Sequence, residues 1–373
     1  MIRILHSVSN MDRAGIETML MNYYRRIDRS RIQFDFLANK PKPGAYDDEI
    51  RAMGGHVYVS PGLAPWQYPA YLRFMKQLLA DNPDIRILHA HNEGMMEYAL
   101  RGAEKAGLPT RIAHAHNTRI IKDYKWPLKV FCKQFIPHSA TEYFGCGRDA
   151  GIYYFGKKRW EARGYTMHNA IDPERFRFSE ETRRRTRMAL GLGDSFVLGH
   201  IGRFNLQKNH GRLIEIFAAL LAVKPDAVLL LIGEGELEQQ TRDRAKQIGV
   251  EKQVRFLGVR SDIPALCMAM DVFVMPSLFE GLPVVGVEAQ ATGLPCIFSA
   301  EVTDEVVILP ASERIPLSAS DETWAQAIAA CDGAKIDRAR SIVPVQQAGY
   351  DINVETEKLT ELYLKWAERK RAT

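Results

Sequence analysis

Strand-like and helix-like segments alternate along this 373-residue chain, and the alternation stops once and then starts again. The break is a Pro- and Arg-rich span at residues 172–187. Predicted strands lie at residues 2–8, 33–37, 56–59, 86–90, 110–115, 142–145 and 165–167, and then at 196–201, 227–232, 253–257, 272–275 and 295–299. Helical patterns separate most of them, which is typical of parallel sheets covered by helices. The chain is therefore predicted to be an α/β protein with two doubly wound, Rossmann-like domains facing across a cleft.

The composition excludes several classes of protein. The net charge of +5 permits an anionic ligand but gives no reason to expect nucleic acid. Five cysteines without a C-x-x-C pair favour reduced thiols and a cytoplasmic location. No apolar run approaches the roughly 18 residues of a membrane span, so any contact with the inner face of the membrane is expected to be peripheral.

Two glutamates, Glu280 and Glu288, flank the start of a predicted helix that follows the strand at 272–275. Pro283 suits the first turn of this helix and Gly293 suits its end. Helical side chains lean toward the helix N-terminus, so both carboxylates are expected near the carboxyl end of the strand. Open α/β sheets bind ligands at that edge, and a helix start there favours phosphate.

A second candidate site is HIGRFNLQKNH, residues 200–210, between a predicted strand and a helix. Arg203 and Lys208 lie in the connecting loop, and Gly199 and Gly202 allow a ligand to approach the backbone closely. A guanidinium fork with an ammonium group suits a diphosphate. Two solvated surface cations are the alternative, and the adjacent glycines favour the diphosphate clamp.

Two other glycine-containing loops follow predicted strands. Gly233 and Gly235 form half of a dinucleotide fingerprint, but the third glycine is missing, so a tight strand-to-helix turn is the simpler interpretation. The loop at residues 10–17 after the first strand also lacks the fingerprint, although Gly15 would let a phosphate or sugar approach.

Histidine pairs end two predicted strands, in HAHN at residues 89–92 and HAHNT at 114–118. Residues two apart on a strand share a face, so His89 with His91, or His114 with His116, offers two metal ligands. A zinc site usually needs three or four ligands, and no third ligand is apparent in register. The sequence therefore predicts no metal site and favours hydrogen-bonding or purely structural histidines.

Cations and aromatic residues are interleaved from Arg119 to Arg163. Basic side chains with aromatic anchors are typical of a surface that rests on an anionic membrane. The alternative is a solvated helix face with aromatic residues in the core.

Four segments of the second half carry a family resemblance: GRFNLQKNH, LIGEGELEQQ, VRFLGVRSDI and MPSLFEGLPVVGVEAQATGLPCI. They resemble the retaining glycosyltransferases of the GT-B fold, family 4, whose E-x7-E signature falls on Glu280 and Glu288. The resemblance implies an acceptor-binding domain at 1–172, a nucleotide-sugar-binding domain at 173–352 and a C-terminal helix at 353–373 that crosses back to the first domain. In that tail, Leu359, Tyr363 and Trp366 share one predicted helical face.

The resemblance also implies roles for individual residues. Arg203 and Lys208 would bind the donor diphosphate, Glu288 the ribose, and Glu280 the hydroxyls of the transferred sugar. The remaining donor contacts implied are the backbone of Phe279, Gly281 and Leu282, the base-pocket residues Val259 and Arg260, the loop residue Gly15, and His116 with His114 as the alternative.

The implied activity is hexosyl transfer from a nucleotide sugar, most commonly a UDP-sugar, with retention and without a metal or cofactor. The implied acceptor is a saccharide or polyprenyl-linked saccharide, because Asn169–Asp172 and Val302–Glu305 resemble a subgroup of capsule and exopolysaccharide assembly. Three alternatives stay open on the sequence. They are a glycoside hydrolase using the two glutamates, a sugar-nucleotide epimerase, and a non-catalytic sugar-nucleotide-binding protein.

Overall fold

A computed structural model describes residues 1–120, 122–331 and 336–369. The chain divides into two compact units. One unit consists of Met1–Ala170 together with Ile352–Thr373, and the other of Ile171–Asp351.

The N-terminal part of the first unit alternates strands and helices. In chain order these are β1 Ile2–Val8, α1 Gly15–Arg26, β2 Ile32–Ala38, α2 Asp47–Ala52, β3 Val57–Val59, α3 Tyr68–Asp81, β4 Ile85–Ala90, α4 Met96–Lys105, β5 Thr110–Ala115, α5 Trp126–Lys133, α6 Ile136–Ser139, β6 Glu142–Gly145, α7 Arg148–Phe155, α8 Lys157–Arg163 and β7 Gly164–Thr166.

Within the described residues these strands form one parallel sheet in the order β3-β2-β1-β4-β5-β6-β7. Every residue of β2 is buried, as expected for a strand covered by helices on both faces. The strand order reverses between β1 and β4, so the loops after these two strands border the crevice where such sheets bind ligands.

The second unit repeats the plan with fewer strands. Its elements are α9 Pro173–Phe176, α10 Glu180–Ala189, β8 Val197–Ile201, α11 His210–Leu221, β9 Val228–Ile232, α12 Glu238–Ile248, β10 Val254–Phe256, α13 Ile263–Ala269, β11 Val272–Met275, α14 Val284–Ala291, β12 Cys296–Ser299, β13 Glu313–Ile315, α15 Asp321–Ala330 and α16 Ile342–Val345.

The described strands of this unit form a parallel sheet in the order β10-β9-β8-β11-β12-β13. The order reverses between β8 and β11. The loop with Arg203 and Lys208 follows β8, and the loop with Glu280 follows β11. The two segments that the sequence singled out therefore leave neighbouring strands at the switch point of this sheet.

The last helix, α17 at Ile352–Ala367, belongs to the first unit. It packs on α1 and β4 and buries Leu359, Tyr363 and Trp366 in the same core cluster as Ile4 and Phe34. The prediction that these three residues share one helical face is confirmed, and so is the prediction that the last helix returns to the first domain. Residues 370–373 of the predicted tail segment lie outside the described residues.

The predicted α/β class with two parallel-sheet domains is confirmed, and most strand predictions differ from the structure by at most one residue at either end. The helical segment between β4 and β5 begins with a 3-10 turn, Glu93–Met95, which leads into α4. Neither β13 nor α15 was predicted from the sequence pattern. None of the helices in the described residues combines the length and the apolar character needed to cross a membrane.

Candidate functional site

Lys208 and Glu280 form an ion pair at the carboxyl ends of β8 and β11, with the Lys208 Nζ 2.7 Å from the Glu280 Oε1. The two side chains are only 15% and 10% exposed. A buried cation and a buried anion stabilise each other only when the geometry is good, and each is costly without the other. The pair therefore fixes two polar groups at the edge of the sheet where ligands bind.

Backbone and side-chain hydrogen bonds join the two loops that carry this pair. The Leu278 N–H donates to the Gln207 carbonyl at 2.8 Å, and the Gln207 Nε2 donates to the Phe279 carbonyl at 3.0 Å. The Asn209 side chain donates to the Pro276 carbonyl at 3.1 Å. Asn209 itself has a left-handed φ of 56°, which asparagine tolerates better than most residues. The spacing between the two loops is thus set before any ligand arrives.

Arg203 differs from Lys208 in being open to solvent. Its side chain is 72% exposed, and it makes a loose ion pair with Glu236 at 3.5 Å. Such a pair in water contributes little energy. The guanidinium is therefore available to an anion, whereas the Lys208 ammonium is already fixed in position.

Glu288 lies in the second turn of α14 and is partly buried. Desolvation by the surrounding protein raises the pKa of its carboxyl to about 7, although the nearby Arg175 lowers it. A carboxyl with this pKa accepts hydrogen bonds from hydroxyl groups when it is ionised, and it carries a proton below about pH 7.

Close packing explains two of the glycines in the second unit. A Cβ at Gly233 would lie 2.2 Å from the Gly202 carbonyl oxygen, and one at Gly235 would lie 2.4 Å from the Phe204 oxygen. Gly233 also has a φ of 137°. The interpretation as a tight strand-to-helix turn therefore accounts for both residues, because the turn after β9 packs against the backbone of the loop after β8.

The remaining donor-site predictions in this unit have mixed environments. Val259 is 57% exposed, and Arg260 is exposed and forks onto its neighbour Asp262 with contacts of 2.8 and 2.7 Å. That partner raises the pKa of Arg260. Gly281 and Leu282 are buried in the loop that leads into α14.

Gly15 is exposed at the start of α1, and a Cβ built there would meet nothing within 4 Å. No packing contact in the described residues therefore requires a glycine at this position. The space in front of it is open to a ligand.

Five histidines meet on one face of the first sheet. His6 on β1 is directly opposite His89 on β4, and His91, His114 and His116 complete the group. The expectation that no third histidine lies in register is wrong. The parallel pairing of β1 with β4 supplies one, because it places His6 against a strand from a distant part of the sequence.

The group offers two sets of three nitrogens, His6 with His89 and His91, and His91 with His114 and His116. In each set the ring nitrogens lie within 4.8 Å of one another. Burial lowers the pKa values of all five, to about 3 for His6 and His116. Neutral imidazoles are the form that binds metals. However, several of these nitrogens are within hydrogen-bonding distance of one another.

His116 differs from His114 in exposure. His114 is fully buried, whereas His116 follows the end of β5 and is partly exposed. Of the two histidines that the sequence left as alternatives, only His116 is open to solvent.

The structure separates the aromatic residues between Arg119 and Arg163 into two groups. Tyr154, Phe155 and Trp160 are core residues at 7% exposure or less. The exposed group consists of Tyr124, Trp126, Phe131, Phe135 and Tyr153. Lys122 and Lys125 lie over Trp126 and Tyr124 respectively. Core packing thus accounts for the first group, and the second group lies exposed beside basic side chains. We call the exposed aromatic residues with Lys122 and Lys125 the basic–aromatic surface.

Comparison with known proteins identifies the family. The family model described as Glycosyl transferases group 1 matches residues 182–329, and that described as Glycosyltransferase Family 4 matches residues 13–175. The chain is 36% identical over 369 residues to the putative glycosyltransferase EpsF of Bacillus subtilis, which covers 97% of this chain and 96% of EpsF.

A capsular relative and a solved structure agree with this match. The capsular polysaccharide biosynthesis glycosyltransferase CapH of Staphylococcus aureus is 23% identical over 375 residues, covering 98% of this chain and 99% of CapH. Anabaena Alr3699/HepE, solved in complex with UDP-glucose, has a TM-score of 0.81 at 19% identity and covers 98% of this chain and 100% of that one. The chain belongs to the family 4 glycosyltransferases and has their GT-B architecture of two parallel-sheet α/β domains.

Proposed function

We propose that this glycosyltransferase moves a hexose from a UDP-sugar to a saccharide or polyprenyl-linked saccharide, with retention and without a metal ion. The observation that carries the proposal is the buried Lys208–Glu280 pair at the switch point of the second sheet. A fixed cation beside a fixed carboxylate suits a ligand with a diphosphate next to a polyhydroxylated ring. HepE, whose fold this chain shares, was solved with such a ligand.

In this proposal the second unit holds the donor. Lys208 and the exposed Arg203 bind the diphosphate, and the start of α14 adds backbone N–H groups. Glu288 accepts hydrogen bonds from the ribose, and Glu280 accepts them from the sugar with the backbone of Gly281 and Leu282. Val259 and Arg260 are assigned to the base pocket, and Gly15 and His116 are the residues of the first unit assigned to donor contacts.

The chemistry follows from where charge develops. The bond between the sugar carbon and the diphosphate oxygen breaks, so negative charge grows on the leaving group, and Lys208 and Arg203 stabilise it. The acceptor hydroxyl attacks on the same face, and its proton passes to the departing phosphate oxygen. No protein group is then needed as a general base.

The acceptor is proposed from the similarity to CapH, a capsular polysaccharide biosynthesis glycosyltransferase. A polyprenyl-linked acceptor would hold the enzyme at the membrane. The basic–aromatic surface of the first unit suits such a peripheral contact with the cytoplasmic face, because exposed aromatic rings and unburied lysines lie side by side there.

Lys208→Ala and Glu288→Gln test the donor site. Each is expected to weaken donor binding or rate by one to two orders of magnitude, about 1.4–3 kcal/mol. The matched controls are Lys252→Ala and Glu251→Gln, because both residues are exposed on a turn of the same unit. UDP-sugar binding and product formation are measured for all four variants. Unchanged donor kinetics in both site variants would remove the assignment.

The choice of sugar is tested with a panel of nucleotide sugars in a thermal-shift assay, since a bound ligand raises the melting temperature. A UDP-sugar that stabilises the protein and is then consumed with release of UDP only when an acceptor is present supports the proposal. An isomerised donor without an acceptor product would point to an epimerase. Tight binding without turnover across the acceptor panel would point to a non-catalytic binding protein.

A further inference from the structure

The five histidines form two hydrogen-bonded chains. In the first chain, the His6 Nδ1 lies 3.0 Å from the His91 Nε2, and the His91 Nδ1 lies 2.9 Å from the His116 Nε2. In the second chain, the Tyr363 hydroxyl lies 2.7 Å from the His89 Nδ1, and the His89 Nε2 lies 3.1 Å from the His114 Nδ1.

Ring orientation favours hydrogen bonds over a shared metal ion. The planes of His6 and His91 are 21° apart, and those of His89 and His114 are 22° apart. The planes of His91 and His116 are 35° apart. In the first chain the ring centroids are 5.3 and 5.2 Å apart while the nearest nitrogens are about 3 Å apart, so the rings meet edge to edge and the N–H of one can point at the lone pair of the next. A metal ion needs the lone pairs to converge on one point instead.

A chain of neutral imidazoles has only two possible directions. Each ring carries one N–H donor and one lone pair, so the proton position on one ring fixes that on the next. The first chain has a buried end at the His6 Nε2, which has no partner among the described residues. It has an open end at the partly exposed His116.

The buried end indicates the direction of the chain. If the protons pointed inward, the His6 Nε2 would be a buried donor without a partner. If the protons point outward, the His6 Nε2 is instead a buried acceptor without a partner. Among backbone groups, buried acceptors without a partner are less rare than buried donors without one. In the outward direction, His6 donates from Nδ1 to His91, His91 donates from Nδ1 to His116, and His116 keeps an Nδ1–H for a ligand.

We propose that His91 is a positioning residue that holds His116 as a neutral imidazole with its proton on Nδ1, so that His116 presents a hydrogen-bond donor. This inference rests on the proposed function in one respect, since the ligand oxygen that receives this hydrogen bond belongs to the donor sugar. His6 supports His91 from the core in the same way that His91 supports His116. The second chain, through Tyr363, anchors His89 to α17.

The proton positions are measured directly by long-range ¹H–¹⁵N correlation of the imidazoles in the full-length labelled protein near neutral pH. The expected spectrum shows His6, His91 and His116 with the proton on Nδ1, and couplings across the hydrogen bonds. A wild-type His116 that carries its proton on Nε2, or that exchanges between both forms, overturns the proposal. This measurement needs no variant and no turnover.

Variants of His91 test its effect on His116. His91→Phe keeps a ring that can stack on His89 but removes both polar atoms. His91→Gln keeps a donor and an acceptor. His91→Phe is expected to release His116 into a mixture of proton positions, whereas His91→Gln retains the Nδ1–H form. The control is His89→Phe, which interrupts the second chain and leaves the His91–His116 bond in place. An unchanged His116 signal in His91→Phe contradicts the positioning role.

Kinetics then separate positioning from folding. We expect His91→Phe to lower kcat about ten- to a hundred-fold, with a smaller change in the KM for the acceptor, and His91→Gln to recover most of the loss. Equal losses in the two variants would indicate a structural role only and would overturn the proposal. If the wild-type protein transfers no sugar from any UDP-sugar while its His116 signals behave as expected, the proposed function fails and the hydrogen-bonded chain stands.

Zinc titration of the chelator-treated protein gives an independent check. We expect the ring-nitrogen signals of the five histidines to stay unchanged at one equivalent of Zn²⁺. A stoichiometric complex that shifts the signals of His91 and His116 would replace the hydrogen-bonded chain with a metal site.

Discussion

At the scale of single residues, the proposed donor site of the second unit combines a paired cation, an exposed cation and a carboxyl with a raised pKa. Lys208 and Glu280 are already paired. Arg203 is free to move in solvent apart from one loose contact, and Glu288 has a pKa near neutrality. The position of a paired cation is fixed, but the partner carboxylate offsets part of its charge. An exposed arginine keeps its charge in solvent and can turn toward a ligand when one binds. This division of roles suits a leaving group whose negative charge grows during the reaction.

Glu288 predicts a pH dependence of stability. Its carboxyl titrates near its ordinary value of 4.5 in the unfolded chain and at about 7 in the folded chain. Between these pH values the folded chain binds a proton that the unfolded chain has released. The contribution of this protonation to the free energy of unfolding is therefore complete below pH 4.5 and is lost as the pH rises through 7. Glu288→Gln is expected to reduce this loss by about 1–2 kcal/mol, measured by urea unfolding near pH 5 and near pH 8.

Glu17 in the first unit provides the internal comparison for this experiment. Burial raises the pKa of its carboxyl to about 7 as well, so part of the pH dependence persists in the Glu288→Gln variant. If the variant and the wild-type protein lose the same free energy of unfolding over this range, the pKa of Glu288 is not raised in the folded protein.

At the scale of elements, the turn after β9 and the loop after β8 act as one unit of packing. The Phe204 N–H donates to the Glu234 carbonyl at 3.0 Å, and the Leu237 N–H donates to the Phe204 carbonyl at 3.0 Å. The contact explains the two glycines of this turn, because a Cβ at either position would collide with the backbone of the loop after β8. The same contact sets the position from which Arg203 leaves β8.

Gly235→Ala tests this contact. The new methyl group would lie within 2.4–2.8 Å of three backbone atoms of Phe204, so one of the two loops must move. We expect a loss of about 1–3 kcal/mol in the free energy of unfolding, together with weaker binding of UDP, measured by urea unfolding and by calorimetry.

Gly211→Ala is the matched control in the same unit. Gly211 lies in α11, and a Cβ added there would meet nothing within 4 Å. Alanine is also the better helix former. This variant is expected to bind UDP normally and to be as stable as the wild-type protein or slightly more so. Equal behaviour of the two alanine variants would show that the close approach at Gly235 has no energetic consequence.

At the scale of the whole molecule, the exposed hydrophobic surface is unevenly distributed. Tyr124 is 88% exposed and Phe131 58% exposed, and both belong to the basic–aromatic surface of the first unit. Not every lysine nearby is available, because Lys129 contacts Glu93 and Asp123 at 2.8 and 2.9 Å. The net charge of +5 favours an anionic membrane. The proposed membrane contact therefore depends on Lys122 and Lys125 more than on Lys129.

Vesicle binding tests this surface. The double variant Lys122→Gln/Lys125→Gln is expected to bind vesicles containing phosphatidylglycerol roughly thirtyfold more weakly than the wild-type protein, since each basic residue near an anionic surface contributes about 1 kcal/mol. Binding is measured by co-sedimentation, and it should weaken further with added salt.

The control for the vesicle experiment removes the same charge elsewhere. Lys246→Gln/Lys252→Gln lies in the second unit, and both of these lysines are exposed. It should bind the vesicles as the wild-type protein does. Equal losses in the two double variants would mean that net charge alone governs binding and that the basic–aromatic surface has no special role.

The sequence by itself determined the α/β class, the limits of most strands and the family. These features are local: the alternation of apolar runs with helical patterns is legible in a few residues at a time, and so are the loops that follow the strands. It also placed Glu280 and Glu288 in one strand-loop-helix region and Lys208 in another, each at the carboxyl end of a strand, where parallel sheets bind ligands.

Only the tertiary structure decided which of these groups touch. The 2.7 Å contact of Lys208 with Glu280 joins residues 72 positions apart, and its existence depends on β8 being the neighbour of β11. His6 is a single histidine in an apolar strand, and nothing local marks it as part of a cluster. Its place beside His89 and His91 follows from strand order, which arises from packing of the whole sheet and leaves no pattern in the sequence around it.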